Sequence, residues 1–205
     1  MKRIGDIRRQ EIMEHFYRVV SAHGFSGTTL AKVAESMGVK PSLLLHYYAS
    51  KEEMVAGFID FIISKYEEVY IDRIHGISDP RERLSLLLDL LFTHDISELV
   101  NDKAFYESYA LSLTDPEVRE KFSAFYARFR LDLKRELDEL AAAGVIRPLD
   151  SLQSADLLIV LLEGKDFYAN LIRDEGEFEK LLARLRDMTY RILAKPDTGE
   201  KENGK

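Results

Sequence analysis

The chain has 205 residues, of which 46% are hydrophobic and 32% are charged, and it contains no cysteine. This composition is typical of a folded globular protein, and the lack of cysteine excludes disulfide frameworks, thiolate metal sites and cysteine nucleophiles. The longest apolar run, residues 157–162, has six residues, far short of the ~18 that a membrane-spanning helix needs. We therefore expect no membrane segment. The first residues are charged, so we also expect no secretory signal, and the lack of cysteine fits a cytoplasmic location.

Charge is distributed unevenly along the chain. Residues 1–51 hold eight Lys or Arg and four Asp or Glu, a balance of +4. The remaining residues hold 21 Lys or Arg and 32 Asp or Glu, a balance of −11, so the whole chain has a net charge of −7. A basic end on an acidic body is typical of a module that faces nucleic acid. Chance clustering at a terminus explains the same numbers, so charge alone leaves both interpretations open.

Helical periodicity dominates the chain, without an Asn-Gly hairpin signal or a long alternating pattern, so the sequence predicts an all-α protein. The first helix is expected to start near Asp6 and to stop at Gly24, which can adopt the left-handed conformation that ends helices. A short helix over residues 30–37 follows a threonine cap. Another, over 41–48, starts at Pro41, because proline favours the first helical position.

Caps and breaks predict six further helices, about nine in all. Ser50, with Glu53 three residues later, forms a capping box at the start of a long fourth helix. Pro80 opens the fifth. The remaining predicted helices cover residues 104–113, 116–144, 152–173 and 178–193, the last preceded by Gly176, and a polar tail covers 197–205.

One helix followed by two short helices around a glycine turn describes a helix-turn-helix unit. The residues of this unit are Gly24-Phe25, Thr28-Thr29-Leu30, Val33-Ala34, Gly38-Val39, Leu44, Tyr47-Tyr48 and Ser50-Lys51-Glu52-Glu53-Met54. On these residues the chain closely resembles the TetR/AcrR family of helix-turn-helix transcriptional regulators over residues 8–55. The resemblance implies a DNA-binding head at 1–51 and a helical-bundle domain for ligand binding and dimerisation at 52–196. The polar composition of residues 197–205 predicts a disordered tail.

The resemblance also implies which residues contact DNA. Thr29 and Lys51 correspond to phosphate contacts. The positions expected in or beside the major groove are Lys40, Pro41, Ser42, Leu43, His46 and Tyr47. Tyr47 is expected to be exposed and Tyr48 buried, although both also fit a core, and His46 also fits an ordinary surface position. Lys40, Leu43 and Leu45 stand where the family usually has serine, threonine and tyrosine, so the operator sequence cannot be read.

The body of the chain is rich in aromatic residues and has no tryptophan. An aromatic stripe at helical spacing is most often plain core, but in the family this region encloses an effector pocket. The candidate lining residues for a small apolar or aromatic effector are Phe61, Tyr109, Phe125, Tyr126 and Phe129. His94 and Asp95 are weaker candidates for polar anchors, because a loop surface explains them equally well.

The run at residues 157–162 is apolar nearly all round, which predicts burial on more than one side. One side fits the core of the chain and the other fits a partner, with Gly164 allowing close approach. The run resembles the family's dimer-forming helix, so two copies would form a four-helix interface. Its candidate residues are Leu158, Leu161, Leu162, Leu185 and Met188.

These observations favour a homodimeric, ligand-responsive repressor of a palindromic double-stranded DNA operator, with no cofactor. An enzyme is disfavoured, because the five histidines are scattered and phosphate loops, nucleophile elbows and metal-ligand spacings are missing, so no catalytic or metal residue is assigned. The alternative is an all-helical adaptor of the same fold that has lost operator binding, which Leu43 and Leu45 make conceivable.

Overall fold

A computed structural model of the chain describes residues 4–92, 102–169, 171–172 and 174–195. In these ranges it consists of nine α-helices, which confirms the all-α prediction. They are α1 (Ile4–Gly27), α2 (Leu30–Met37), α3 (Pro41–Tyr47), α4 (Lys51–His75), α5 (Pro80–Phe92), α6 (Asp102–Ser112), α7 (Pro116–Ala142), α8 (Ser151–Ala169) and α9 (Glu175–Leu193). None of the described helices combines the length and the apolar character needed to cross a bilayer.

The predicted caps of α2 and α4 are present, whereas α1 begins at Ile4, so Asp6, near which it was expected to start, lies in its first turn. The Thr29 side chain accepts a hydrogen bond from the Lys32 N–H at 3.3 Å at the start of α2. At α4, Ser50 Oγ accepts from the Glu53 N–H at 3.1 Å, and the Glu53 carboxylate accepts in return from the Ala49 N–H at 2.6 Å. These bonds satisfy N–H groups that have no partner inside their own helix.

At Gly24 the backbone leaves the helical conformation (φ 71°, ψ 171°), which confirms the predicted break in the first helix, and a short further stretch of α1 runs to Gly27. The two largest differences from the predicted boundaries lie in the last two helices. The eighth helix ends at Ala169 rather than residue 173. The last helix starts at Glu175, so Gly176 lies inside it. Its cap is Asp174, whose carboxylate accepts from the Glu177 N–H at 3.0 Å, a signal that the prediction missed.

The chain divides into two compact units. The first comprises Met1–Val69 and Ile96–Tyr126 and the second comprises Tyr70–Asp95 and Ala127–Lys205. The core of the first unit is centred on Phe58, whose ring lies 5.0 Å from the ring of Phe16 and 5.5 Å from that of Phe25. The functional boundary predicted after residue 51 stays a prediction, as do the roles of residues 94, 95 and 197–205, which lie outside the described residues.

In the second unit α5, α8, α9 and the later part of α7 bury leucine side chains together with an ion-pair network. Arg83 on α5 lies 2.9 Å from a carboxylate oxygen of Glu136 and 2.9 Å from one of Glu139, both on α7. The Glu136 side chain is only 6% exposed. A carboxylate buried to this extent needs its cation, because removing one partner would leave an uncompensated charge away from water.

Candidate nucleic-acid interface

A small core beneath α3 sets the orientation of this helix. Leu44 on α3 and Val33 and Ala34 on α2 are completely buried. Buried Thr28 joins the base of α2 to α1, because its hydroxyl donates to the Gly24 carbonyl at 2.6 Å. The side of α3 opposite Leu44 therefore faces outward.

The turn between α2 and α3 depends on Gly38, which has φ 67°. A Cβ at this position would meet nothing within 4 Å, so the requirement for glycine is conformational rather than steric. The Gly38 N–H donates to Glu35 O at 3.0 Å, and the Val39 N–H donates to Ala34 O at 2.9 Å. This is a tight left-handed helix end of the kind that glycine favours, and it leads directly into the first residues of α3.

The start of α3 is exposed. Lys40 occupies the N-cap position without a side-chain cap, and Pro41 follows at the first helical position. The predicted DNA-contacting side chains that are exposed are Thr29, Lys40, Pro41, Ser42 and His46. Leu43 is half-buried, and Lys51 begins α4 but its side chain lies outside the described set. Short, polar or cationic side chains at an exposed helix start are suited to contacts with phosphates and base edges.

Two residues of α3 differ from expectation. Tyr47 was expected to be exposed but is half-buried, because it packs against the core of the first unit. Its ring centroid lies 5.1 Å from that of His46. Leu45 was not assigned a contact, yet it is 49% exposed. In an α-helix residue 45 is rotated by about 100° from buried Leu44, so its side chain leaves the buried face.

Tyr48 is buried, as predicted, and fixes the end of α3 against α4. Its ring lies against Gly57, where an added Cβ would come within 2.9 Å of the ring. The guanidinium of Arg9 lies 4.9 Å from the ring centroid. Burial raises the pKa of the Tyr48 hydroxyl above its usual value, and the neighbouring Arg9 partly offsets this rise. Tyr48 is thus an anchor for α3 rather than a surface contact.

A side chain of α6 forms a hydrogen bond with the backbone at the end of α1. The Glu107 carboxylate accepts a hydrogen bond from the Phe25 N–H at 2.5 Å, just after the bend at Gly24. This contact joins residues 82 positions apart in the sequence. No local pattern predicts it, because it depends on how α6 packs against α1.

The aromatic residues predicted to line a pocket have different surroundings. Phe61 is buried near Tyr17, with ring centroids 6.1 Å apart, and Phe125 lies 5.0 Å from half-buried Tyr126. Tyr109, expected in an interior, is instead 46% exposed, and its ring meets the Phe122 ring edge-on. Phe129 is buried and belongs to the second unit.

The outer face of α8 is apolar but does not include all of the predicted interface residues. Leu158 and Leu162 are 1% and 3% exposed, because they pack into the core of their own chain, and Leu161 and Leu185 are half-buried. The exposed apolar side chains of α8 are Leu157, Val160, Phe167 and Tyr168, which together with exposed Gly164 form what we name the outer face of α8. Met188 of α9 is 59% exposed.

Two family profiles match the sequence. Residues 12–57 match "Bacterial regulatory proteins, tetR family", and residues 79–195 match "Tetracyclin repressor-like, C-terminal domain". The second match alone covers more than half of the chain. The chain belongs to the TetR family of transcriptional regulators. The matches therefore indicate a DNA-binding transcriptional regulator.

Curated relatives of this TetR-family chain include regulators named HTH-type transcriptional regulator BetI. That of Rhizobium meliloti (strain 1021) is 27% identical over 137 residues, covering 67% of this chain and 68% of the relative. That of Agrobacterium fabrum is 24% identical over 166 residues, covering 80% and 78%.

Solved structures share the fold of this TetR-family chain. A TetR transcription regulator from Haloarcula marismortui has a TM-score of 0.77 at 22% identity, covering 93% of this chain and all of that one. A putative transcriptional regulator from Saccharomonospora viridis, crystallised in complex with choline, has a TM-score of 0.79 at 18% identity with the same coverage.

Proposed function

We propose that the chain is a cytoplasmic repressor that binds a palindromic operator as a homodimer and leaves it when a small effector binds. The observation that carries this proposal is the exposed start of α3, where Lys40, Pro41 and Ser42 are exposed above a buried three-helix base. Two such helices on one dimer would enter successive major grooves, as in other helix-turn-helix dimers. No residue is proposed to have a catalytic role.

The test places a negative charge on this surface without disturbing the helix. Ser42→Glu adds a carboxylate in the first turn of α3, where the helix dipole favours it, so folding should be preserved. In fluorescence anisotropy with a duplex from the upstream region of the chain's own gene, we expect the variant to bind about tenfold more weakly or worse, because the carboxylate faces phosphates.

The matched control is Ser123→Glu, which makes the same change at an exposed position on α7. It should bind the duplex like the parent chain. If neither the parent chain nor the control binds at low salt, the alternative of a helical adaptor without operator binding replaces the repressor.

The dimer is proposed to form through the outer face of α8, with Met188 on α9. Leu157, Val160, Gly164, Phe167 and Tyr168 recur at helical spacing. A Cβ added at Gly164 would meet no atom of the described residues within 4 Å, so a second helix has room to approach. An exposed apolar face of this kind marks an interaction surface in a folded protein.

The effector is proposed to be a small apolar or aromatic molecule bound among the aromatic side chains of the body. The choline of the Saccharomonospora viridis protein suggests a cation instead. In this chain, however, the Lys65 ammonium already lies 4.7 Å from the Phe61 ring centroid and 5.9 Å from that of Tyr17. A resident cation at these rings disfavours a quaternary ammonium there. The test compares choline with 3,3-dimethylbutanol, its uncharged analogue. If 3,3-dimethylbutanol releases the duplex and choline does not, the result supports an apolar effector. If choline releases the duplex and 3,3-dimethylbutanol does not, the result contradicts it.

A further inference from the structure

The second unit contains an open cleft of about 510 Å³ that the proposed DNA and effector sites do not use. It lies between α5, the turn that follows α7 and the end of α9. Its lining residues are Arg81, Leu84, Ser85, Leu88, Gly144, Val145, Arg186, Tyr190, Ala194 and Lys195. The volume falls in the range typical of small-molecule sites.

The lining of this cleft is cationic although the chain carries a net charge of −7. Arg81, Arg186 and Lys195 contribute three positive charges, and no lining residue is acidic. Arg186 is held by Asp89, with Nε 2.7 Å from a carboxylate oxygen. Within the described ranges Arg81 and Lys195 form no ion pair. Two uncompensated cations in a concave site attract anions more strongly than cations scattered over a surface.

The cations of the cleft are not needed as hydrogen-bond donors to the carbonyls at the ends of α7 and α9. The Leu140 carbonyl near the end of α7 accepts the Val145 N–H at 3.0 Å, and the Leu193 carbonyl at the end of α9 accepts the Arg147 N–H at 2.9 Å. These terminal carbonyls therefore have backbone partners and do not depend on a lysine or arginine to satisfy them.

The floor of the cleft is apolar. Leu84 and Leu88 are 4% and 1% exposed, and half-buried Val145 adjoins them. At the rim, the Lys195 ammonium lies beside Gly144, and a Cβ added at Gly144 would lie 3.3 Å from the Lys195 nitrogen. The Tyr190 side chain at the rim is half-exposed. The site thus combines a small apolar surface with cationic and hydroxyl groups on one side.

We propose that this cleft binds a small organic anion. The carboxylate of the anion lies among Arg81, Arg186 and Lys195, and its short apolar body lies on Leu84, Leu88 and Val145. Carboxylates accept charge-assisted hydrogen bonds from arginine and lysine, and a short alkyl or aryl group covers the leucine floor. This inference does not rest on the proposed repressor function, because binding is measured without DNA.

The test is calorimetric titration of the full chain with sodium hexanoate, 1-hexanol and inorganic phosphate. Hexanoate should bind, and 1-hexanol and phosphate should each bind at least about tenfold more weakly, because one lacks the charge and the other the apolar body. Arg81→Gln combined with Lys195→Gln should weaken hexanoate binding by about tenfold or more. The matched control combines Lys180→Gln with Arg184→Gln, the same loss of charge at exposed positions of α9, and should bind hexanoate like the parent chain.

Three results would overturn the proposal. The first is that hexanoate does not bind at millimolar concentration. The second is that phosphate or 1-hexanol binds as tightly as hexanoate. The third is that the cleft variant binds hexanoate like the parent chain, or that the control variant loses as much hexanoate affinity as the cleft variant. Circular dichroism melting curves of both variants show whether each is folded. If the cleft variant does not fold, the single variant Arg81→Gln takes its place under the same criteria.

Discussion

Tyr48 joins three parts of the first unit, because its ring lies against Gly57 of α4 and beneath Arg9 of α1 while its backbone ends α3. The ring is 5% exposed. Burial favours the neutral phenol, so ionising this hydroxyl opposes the folded state.

This burial predicts a dependence of stability on alkaline pH. The pKa of Tyr48 is raised in the folded state, so the unfolded chain loses this proton first as pH rises above its usual value of 10.0. The stabilisation is complete below that pH and is lost as pH rises toward the folded pKa. In urea titrations above pH 10, the free energy of unfolding should therefore fall more steeply for the parent chain than for Tyr48→Phe. If the free energy of unfolding falls equally with pH for both proteins, folding does not raise the pKa of Tyr48.

Local chemistry determined how well single residues could be predicted. Gly38, Pro41 and the pair Ser50 and Glu53 were correctly placed from sequence, because a turn or cap requires particular residue types within a few positions. The Glu107 bond to the Phe25 N–H was not predictable, because it depends on the packing of α6 against α1.

Among helices, the most consequential polar contact joins α5 to α7 through Arg83. Its side chain is 15% exposed and contacts both Glu136, which is buried, and Glu139. Replacing the arginine with a neutral side chain would remove a cation that lies 2.9 Å from this poorly solvated carboxylate. A surface ion pair such as that of Arg191 with Asp187 carries no such penalty, because water solvates either partner alone.

Arg83→Met should therefore destabilise the chain by about 3–5 kcal/mol, measured as the free energy of unfolding in urea. Arg191→Met, the control, should cost about 1 kcal/mol or less. Adding Glu136→Gln to Arg83→Met should restore part of the loss, since it removes the stranded charge. A loss equal to that of the control, or no recovery in the double variant, would contradict this account of the network.

The faces of α8 illustrate why helix orientation was only partly predictable. Its apolar character correctly indicated burial, and Leu158 and Leu162 are in fact buried. However, Leu157 and Val160 are equally apolar and lie outside, so no polar stripe in the sequence distinguishes the two sides. Tyr109 was assigned to the pocket as part of the aromatic stripe of the body, although the structure exposes it.

For the whole molecule, the central expectation is that two copies associate through the outer face of α8. Val160→Glu places a charge on the most exposed apolar side chain of that face, which is 67% exposed in the single chain. Folding should be preserved, because the side chain is exposed in the single chain. A carboxylate buried in an apolar interface should destabilise the dimer, so the molar mass measured by light scattering after gel filtration should fall from that of a dimer to that of a monomer.

Leu131→Glu is the matched control, because Leu131 on α7 is 58% exposed and lies outside this face. It should remain dimeric. A dimer that survives Val160→Glu and dissociates with Leu131→Glu would move the interface to α7.

The most direct measurement is the salt dependence of operator affinity for the parent chain and for Lys40→Gln, with Lys180→Gln as the control of equal charge. Each phosphate contact contributes about −0.9 to the slope of log affinity against log salt concentration. A dimer with one Lys40 contact per copy should therefore lose about 2 from the magnitude of this slope in Lys40→Gln and nothing in the control. Equal slopes in all three proteins would contradict the claim that the start of α3 meets the DNA.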